Sequence, residues 1–362
     1  MNKEWKFDWL TSWNEIWHSS FLNQWENWLA GSAGAHVFFT PELVRAWVET
    51  YRQFRSVEPR FLIARREGET VFFPLVYERR GWKDAWQNVI VPAGHPDFDY
   101  QDPVTIWRNG SAADFWPQML RETQRLWGKS CDVFLMKGLR ETSLAGTNGC
   151  CTEETAPWID LSGIRSFDAF MNLLGKKLRQ DIRYQIRRLE KSGELVLRRF
   201  QPHETVAAQE SLGEFLRVRR ERWPDADILP DLFNAVIARA LPSGLLHYSE
   251  LQHNGIPVSW VFGFVYRRRF YYYVPTFRQE MTRYSPGKIH IAMLVEEAIQ
   301  SGLEVFDLLR GDEPYKRQWT DRRCILYSLS RQQQGLKPAL TTAWQEMLRP
   351  RIVSAKKKFA RR

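Results

Sequence analysis

The chain has little cysteine and no long apolar stretch. Its four cysteines, Cys131, Cys150, Cys151 and Cys324, show no Cys-x-x-Cys spacing, and the adjacent pair Cys150 and Cys151 is badly placed to bridge itself. They read as reduced thiols, which excludes a disulfide scaffold and a thiolate metal site. No run approaches the roughly 18 consecutive apolar residues of a membrane span, and residues 1–8 lack the apolar core of a secretory signal. The expected location is the cytoplasm. Seven histidines show no ligand spacing. The nearest approach, His95 beside Asp97 and Asp99, reads as a turn built with Gly94 and Pro96, so no metal is expected. Also missing are a Gly-x-Gly-x-x-Gly fingerprint, a Walker loop and a Gly-x-Ser-x-Gly elbow, which argues against dinucleotide sites, P-loop sites and serine-hydrolase sites.

What is present is enough chain for two domains of ordinary size: 362 residues, 44% of them hydrophobic, give each a core. Charge is unevenly spread. Residues 1–160 hold 17 Lys and Arg against 21 Asp and Glu, whereas residues 161–362 hold 35 against 21. The basic half is the one expected to meet an anion, and both nucleic acid and a phosphorylated cofactor fit that description.

Trp5, Trp9, Trp13 and Trp17 recur every fourth residue, and Phe21, Trp25 and Trp28 continue the stripe to Gly31. This spacing predicts one or two amphipathic helices over residues 1–38, packed on the domain body rather than lying in a membrane interface, because acids flank the stripe. Thr40-Pro41 then starts a helix to about Tyr51. Residues 60–66 and 70–78 read as a hairpin turning at Glu67-Gly68-Glu69; residues 245–252 and 257–266 repeat that pattern around Asn254-Gly255. A helix follows each hairpin, at residues 112–127 and 287–301, and each feeds a short strand, 132–138 and 304–311. The order helix, hairpin, helix, strand therefore occurs twice, as in a duplicated α/β domain.

Three segments could carry chemistry. In Ser285-Pro286-Gly287-Lys288, Ser285 can cap the following helix, Pro286 suits its first position, and Gly287 opens the backbone to a ligand. Free amides, the helix dipole and Lys288 would attract a diphosphate; an ordinary capped helix would carry the same residues. Next, Asp307, Asp312 and Glu313 interleave with Arg310, Lys316 and Arg317 around Tyr315, where a strand ends. Asp312 and Tyr315 are the candidate base and acid, with Asp307 beside them; mutually satisfied ion pairs are the plainer alternative. Finally, residues 176–191 form a helix with Leu178, Ile182, Ile186 and Leu189 inward and Arg179, Arg183, Arg187 and Lys191 along another face. That stripe suits an anionic ligand or acceptor, or is simply a solvated face.

Residues 284–288 and 306–319 together resemble GNAT-superfamily acetyltransferases of the type associated with bacterial cellulose biosynthesis, relatives of the Fem-type peptidyl transferases. The helix from Lys176 and the turn Asp99-Tyr100-Gln101-Asp102-Pro103 share the resemblance, which covers about residues 39–330. It implies two tandem acyl-CoA N-acyltransferase folds, each a mixed, mainly antiparallel sheet flanked by helices. The implied division is a Trp-rich segment 1–38, a degenerate domain 39–160 on the acceptor side, a domain 161–335 with the acyl-CoA site, and a basic tail 336–362. By resemblance the pantetheine and diphosphate of acetyl-CoA or another acyl-CoA fall to Tyr273, Val274, Thr276, Ser285, Gly287 and Lys288. The acceptor, a small molecule or glycan precursor, falls to Arg179, Arg183, Asp99, Tyr100, Arg310 and Lys316. The single Gly287 departs from the superfamily's two spaced glycines, which leaves the acyl donor open. A Fem-like chain would take its acyl group from aminoacyl-tRNA instead, and a non-catalytic binding component of exopolysaccharide synthesis is the third reading.

Overall fold

Both hairpin turns form where the sequence places left-handed backbone: Glu67 and Gly68 have φ of 40° and 83°, Asn254 and Gly255 of 51° and 74°. Two successive positive φ values match a tight turn to the strand twist. The computed structural model describes residues 4–81, 86–108, 110–144, 151–224 and 229–332. The expected basic tail, 336–362, lies outside them. The chain divides into two units, Met1–Glu153 with Leu326–Arg362, and Glu154–Ile325.

In the first unit β1 (Lys6–Leu10), α1 (Trp13–Ile16), α2 (Ser19–Gly31) and α3 (Pro41–Tyr51) precede the hairpin β2 (Ser56–Arg66) and β3 (Glu69–Arg79). Then come β4 (Asn88–Pro92), β5 (Val104–Ile106), α4 (Ser111–Trp127) and β6 (Val133–Arg140); β7 (Cys151–Asp160) follows and belongs to the second unit from Glu154. The sheet runs β1-β2-β3-β4-β6, with β5 also on β3; only β4 and β6 run parallel. The tryptophan stripe is helical only in part. Lys6–Leu10 pairs antiparallel with β2, Lys6 opposite Arg65, so Trp9 stands on a strand. Four-residue spacing satisfies strand alternation as well as a helix face, and the open edge of β2 decides between them. Trp25 is fully buried against Phe61 and Phe72, and its indole N–H donates to the Phe39 carbonyl at 2.9 Å.

The second unit holds α5 (Phe167–Leu173), α6 (Lys176–Glu190), β8 (Leu195–Arg199), α7 (Thr205–Arg222) and α8 (Pro230–Ala240). It continues with β9 (Leu246–His253), β10 (Ile256–Tyr266), β11 (Arg269–Phe277), α9 (Pro286–Gln300) and β12 (Val305–Asp307); β13 (Arg323–Gln332) follows and belongs to the first unit from Leu326. The sheet order is β7-β12-β11-β10-β9-β8, antiparallel except for β11 and β12. One core contains Ile182 of α6, Tyr272 of β11, Ile291 and Val295 of α9, and Phe306 of β12. The inward stripe read on α6 is therefore real: Leu178, Ile182 and Leu189 are buried.

The two units share a strand plan: a hairpin, a third strand, a helix, then a fourth strand parallel to the third. Their closing strands are exchanged. β7 follows β6 in the chain but pairs with β12 in the second unit; β13 follows β12 but, from Leu326, pairs with β6 in the first. The architecture is a mixed α/β fold with mainly antiparallel sheet flanked by helices.

Candidate active site

The parallel pair in the second unit is short, and that creates the site. β11 and β12 pair only from Arg269 opposite Val305 to Tyr271 opposite Asp307. Beyond that point the chain after Asp307 stays with β7: the Leu308 N–H donates to the Pro157 carbonyl at 2.9 Å and the Gly311 N–H to that of Thr155 at 3.0 Å. The strand is shorter than the expected 304–311 because Leu309 and Gly311 take positive φ, 59° and 116°, and turn the backbone away. β11 runs on to Phe277 and there, among the described residues, has a strand partner only on its β10 side. A register shift between Phe262 and Phe264 centres on Gly263, where an added Cβ would lie 2.9 Å from the Tyr271 carbonyl oxygen. Glycine is what lets β11 bend at the fork.

A cavity of about 630 Å³ fills the fork. β11 contributes residues 272–277, the end of α7 Arg219, Arg222 and Trp223, and the start of α9 Ser285, Gly287, Lys288 and Ile291. Leu308, Arg310, Glu313, Tyr315, Lys316 and Trp319 close it. A larger cleft of about 790 Å³ in the first unit is lined by Pro117, Arg121, Cys131, Phe134 and Arg331 among others. No carboxylate or histidine is among its described lining residues, and burial pushes the Cys131 thiol up to about 11. A thiol in that state is a poor nucleophile, so the fork has the better chemistry.

The start of α9 differs from its sequence reading in three ways. Ser285 is left-handed, φ 51° and ψ 49°, and its side chain makes no cap. Its carbonyl instead accepts the Lys288 and Ile289 N–H groups, at 2.9 and 3.2 Å. With Pro286 lacking an N–H, only the Gly287 amide has no acceptor among the described residues. Second, the Lys288 ammonium is taken by the Asp181 carboxylate of α6, so it adds no free charge. Third, what approaches Gly287 is a ring: an added Cβ would sit 3.2 Å from Phe277 Cδ1.

Around Tyr315 the acids are mostly spoken for. Asp307 is fully buried, accepts from Arg269 Nη1 at 2.7 Å and from the Leu309 N–H at 2.9 Å, and does not line the cavity. Asp312 is exposed and bidentate with Arg317, one contact being 2.8 Å, which holds its carboxyl below the usual range. An acid stabilised as its anion is a weak base. Glu313 lines the cavity and meets Lys316 Nζ at 2.9 Å; Lys316 also donates to the Arg310 and Leu309 carbonyls, at 2.7 and 3.2 Å. Arg310 lies 3.5 Å from Glu154. Tyr315 is half-buried on the cavity wall, and burial, with Glu313 adding, raises its hydroxyl above the usual range.

Tyr273, Val274, Thr276, Ser285, Gly287, Lys288, Arg310, Tyr315 and Lys316 thus line one cavity, while Asp307 and Asp312 do not. Arg179 and Arg183 also stand apart, on the exposed face of α6, bonded to Asn172 at 3.2 Å and Asp168 at 3.3 Å. Asp99 and Tyr100 belong to the first unit, where Tyr100 is buried beneath the Arg140 guanidinium, 5.0 Å from its ring centre. Arg219, Arg222 and Phe277 escaped the sequence reading. An Arg-x-x-Arg pair ending a helix beside Trp223 was their only local sign.

Residues 176–317 match the acetyltransferase (GNAT) domain family. No curated protein matches the chain. Among solved structures, that of FemX is similar at 10% identity, with 90% of this chain and 98% of that one covered and a TM-score of 0.60. A conserved protein of unknown function from Bacteroides thetaiotaomicron VPI-5482 is similar at 14% identity, 85% and 96% coverage, and 0.53. The C-terminal domain of a putative lysylphosphatidylglycerol synthetase from Agrobacterium fabrum is similar at 12% identity, 83% and 96% coverage, and 0.53. At these identities the likeness is one of fold. The forked parallel pair lies within the matched residues, so the likeness to the acetyltransferase (GNAT) domain family, over residues 176–317, takes in the site.

Proposed function

We propose that the protein is an acyltransferase that moves an acetyl or longer acyl group from an acyl-CoA to an amine or hydroxyl of a sugar or envelope-related precursor. The observation that carries this reading is the fork between β11 and β12, opening on a cavity large enough for an extended thioester and an acceptor together. The lining fits such a donor. Thr276 Oγ1 is buried without a partner and the Gly287 amide lacks an acceptor, so both can bond a polar chain lying along β11. The bound donor would supply an activated thioester. The chain's own part is to align the acceptor and exclude water, which Tyr272, Tyr315 and Trp319 do by walling the cavity. Tyr315 keeps its proton at neutral pH and can deliver it to a departing thiolate. Glu313, paired with Lys316, replaces Asp312 as the carboxylate near the acceptor, because Glu313 lines the cavity and Asp312 does not.

Thermal-shift and calorimetric titration with acetyl-CoA, longer acyl-CoAs and free CoA tests this directly. Stabilisation should rise with ligand concentration as occupancy does; no saturable binding of any of them would overturn the reading. The stripe of half-buried Arg179 and exposed Arg183, Arg187 and Lys191 favours a second reading, in which the donor is aminoacyl-tRNA. That donor would bind with a steep loss of affinity as salt rises.

A further inference from the structure

Several half-buried arginines of the second unit meet carboxylates. Arg278 reaches Glu214 at 2.6 Å, Arg269 reaches Asp307 at 2.7 Å, Arg199 reaches Glu297 at 3.4 Å and Arg310 reaches Glu154 at 3.5 Å. This is the ordinary outcome, since a guanidinium withdrawn from water without an anion is costly. Arg179 and Arg188 bond an amide oxygen and a backbone carbonyl instead, at 3.2 Å each, on α6 away from the cavity; two further arginines differ in facing the cavity. Arg219 and Arg222, one turn apart at the end of α7, line the cavity and pair with no carboxylate among the described residues. Arg219 Nε and Arg222 Nη1 are buried with no hydrogen-bond partner, and the closest polar contact of Arg219 is the Pro275 carbonyl, at 3.5 Å from Nη1. Burial pulls both guanidinium groups below their usual range.

Aromatic rings hold the pair in place. The Arg222 Cζ lies 3.5 Å from the Phe277 ring centre and 4.5 Å from that of Trp223, and the Arg219 Cζ lies 5.0 Å from the Trp223 ring centre. Cation–π contact orients a guanidinium without neutralising it, leaving its charge for a ligand. The helix dipole favours basic residues in a last turn. It accounts equally for the exposed Arg220, and not for cations turned into a cavity. At the opposite wall, Lys288 is neutralised by Asp181, which leaves the Gly287 amide without a cationic side chain beside it.

We infer that Arg219 and Arg222 form the oxyanion-binding subsite of this cavity, which recognises a phosphate or carboxylate group from the α7 side rather than from the start of α9. A planar, multidentate donor pair on an aromatic shelf suits either anion. The anion is carried by the acyl donor or by the acceptor, and the subsite is defined whether or not acyl transfer occurs.

Titrating the full chain calorimetrically with inorganic pyrophosphate and with succinate tests the subsite, free of any assumption about the reaction. The wild-type protein should bind at least one of them saturably. Arg219→Gln and Arg222→Gln should each weaken that binding about tenfold or more, while Arg220→Gln should leave it within about twofold. Arg222→Lys keeps the charge without the fork and should fall between. A drop in thermal stability with unchanged anion affinity would mean that the chain itself satisfies these arginines, and would overturn the inference. So would a larger loss from Lys288→Gln, which would return the site to α9, or no saturable binding of either anion. Two further ligands locate the carrier: Arg222→Gln weakening CoA but not pantetheine assigns the oxyanion to the donor, whereas unchanged CoA binding with lost succinate binding assigns it to the acceptor.

Discussion

His290 is fully enclosed, with Nε2 3.1 Å from Ser249 Oγ and Nδ1 3.0 Å from Ser259 Oγ. Burial, with His247 adding, lowers its pKa to about 3. An unfolded histidine titrates near 6.5, so between those values the unfolded chain holds the extra proton. The stability this group contributes is complete above about pH 6.5 and is lost as pH falls toward 3, with a slope of up to about 1.4 kcal/mol per pH unit. Urea midpoints measured from pH 7 to pH 4 should therefore decline, and His290→Gln should flatten part of the decline even though it lowers stability at pH 7. Asp307 gives a second expectation at this scale. Asp307→Asn weakens the bonds from Arg269 and the Leu309 N–H within the fold, and should cost about 1.5–3 kcal/mol in urea unfolding. Asp312→Asn, whose carboxylate is exposed, should leave the unfolding midpoint nearly unchanged.

The element on which the site depends is β10, because its irregularity at Gly263 accompanies the bend of β11. Gly263→Ala would press a methyl group to within 2.9 Å of the Tyr271 carbonyl oxygen and 3.0 Å of the Phe270 ring. We expect a loss of about 1–3 kcal/mol by overpacking, with a ligand affinity that falls further than stability alone would explain; equilibrium unfolding and titration of the same sample separate the two. Elements of this kind differ in how well the sequence announces them. The hairpins β2–β3 and β9–β10 were legible from their turn dipeptides, and α4, α6 and α9 from their apolar periodicity. β1 was not, because tryptophans four apart suit a helix face and a strand face alike and only the partner β2 decides. The start of α9 misled for a related reason. Ser285-Pro286 has the composition of a capped start, but a left-handed Ser285 turns its carbonyl, not its hydroxyl, to the helix. Arg219 and Arg222 were illegible because their importance lies in the carboxylates that fail to reach them, a fact of packing across distant segments.

At the scale of the molecule, the exchange of β7 and β13 makes each sheet depend on a strand from the other half of the chain. Leu326 and Leu329 of β13 are fully buried. Ending the chain at Ile325 should therefore strip hydrogen-exchange protection from β6, while amides of β9 and β10 stay protected; equal loss in both sheets would show that they open as one. The order of synthesis adds a consequence. A ribosome hands over β7 before any of its future neighbours exist, and delivers β13 only after all the other strands have emerged. The half that is translated first is thus the half that is finished last, and for most of its synthesis β6 waits with a bare edge beside it.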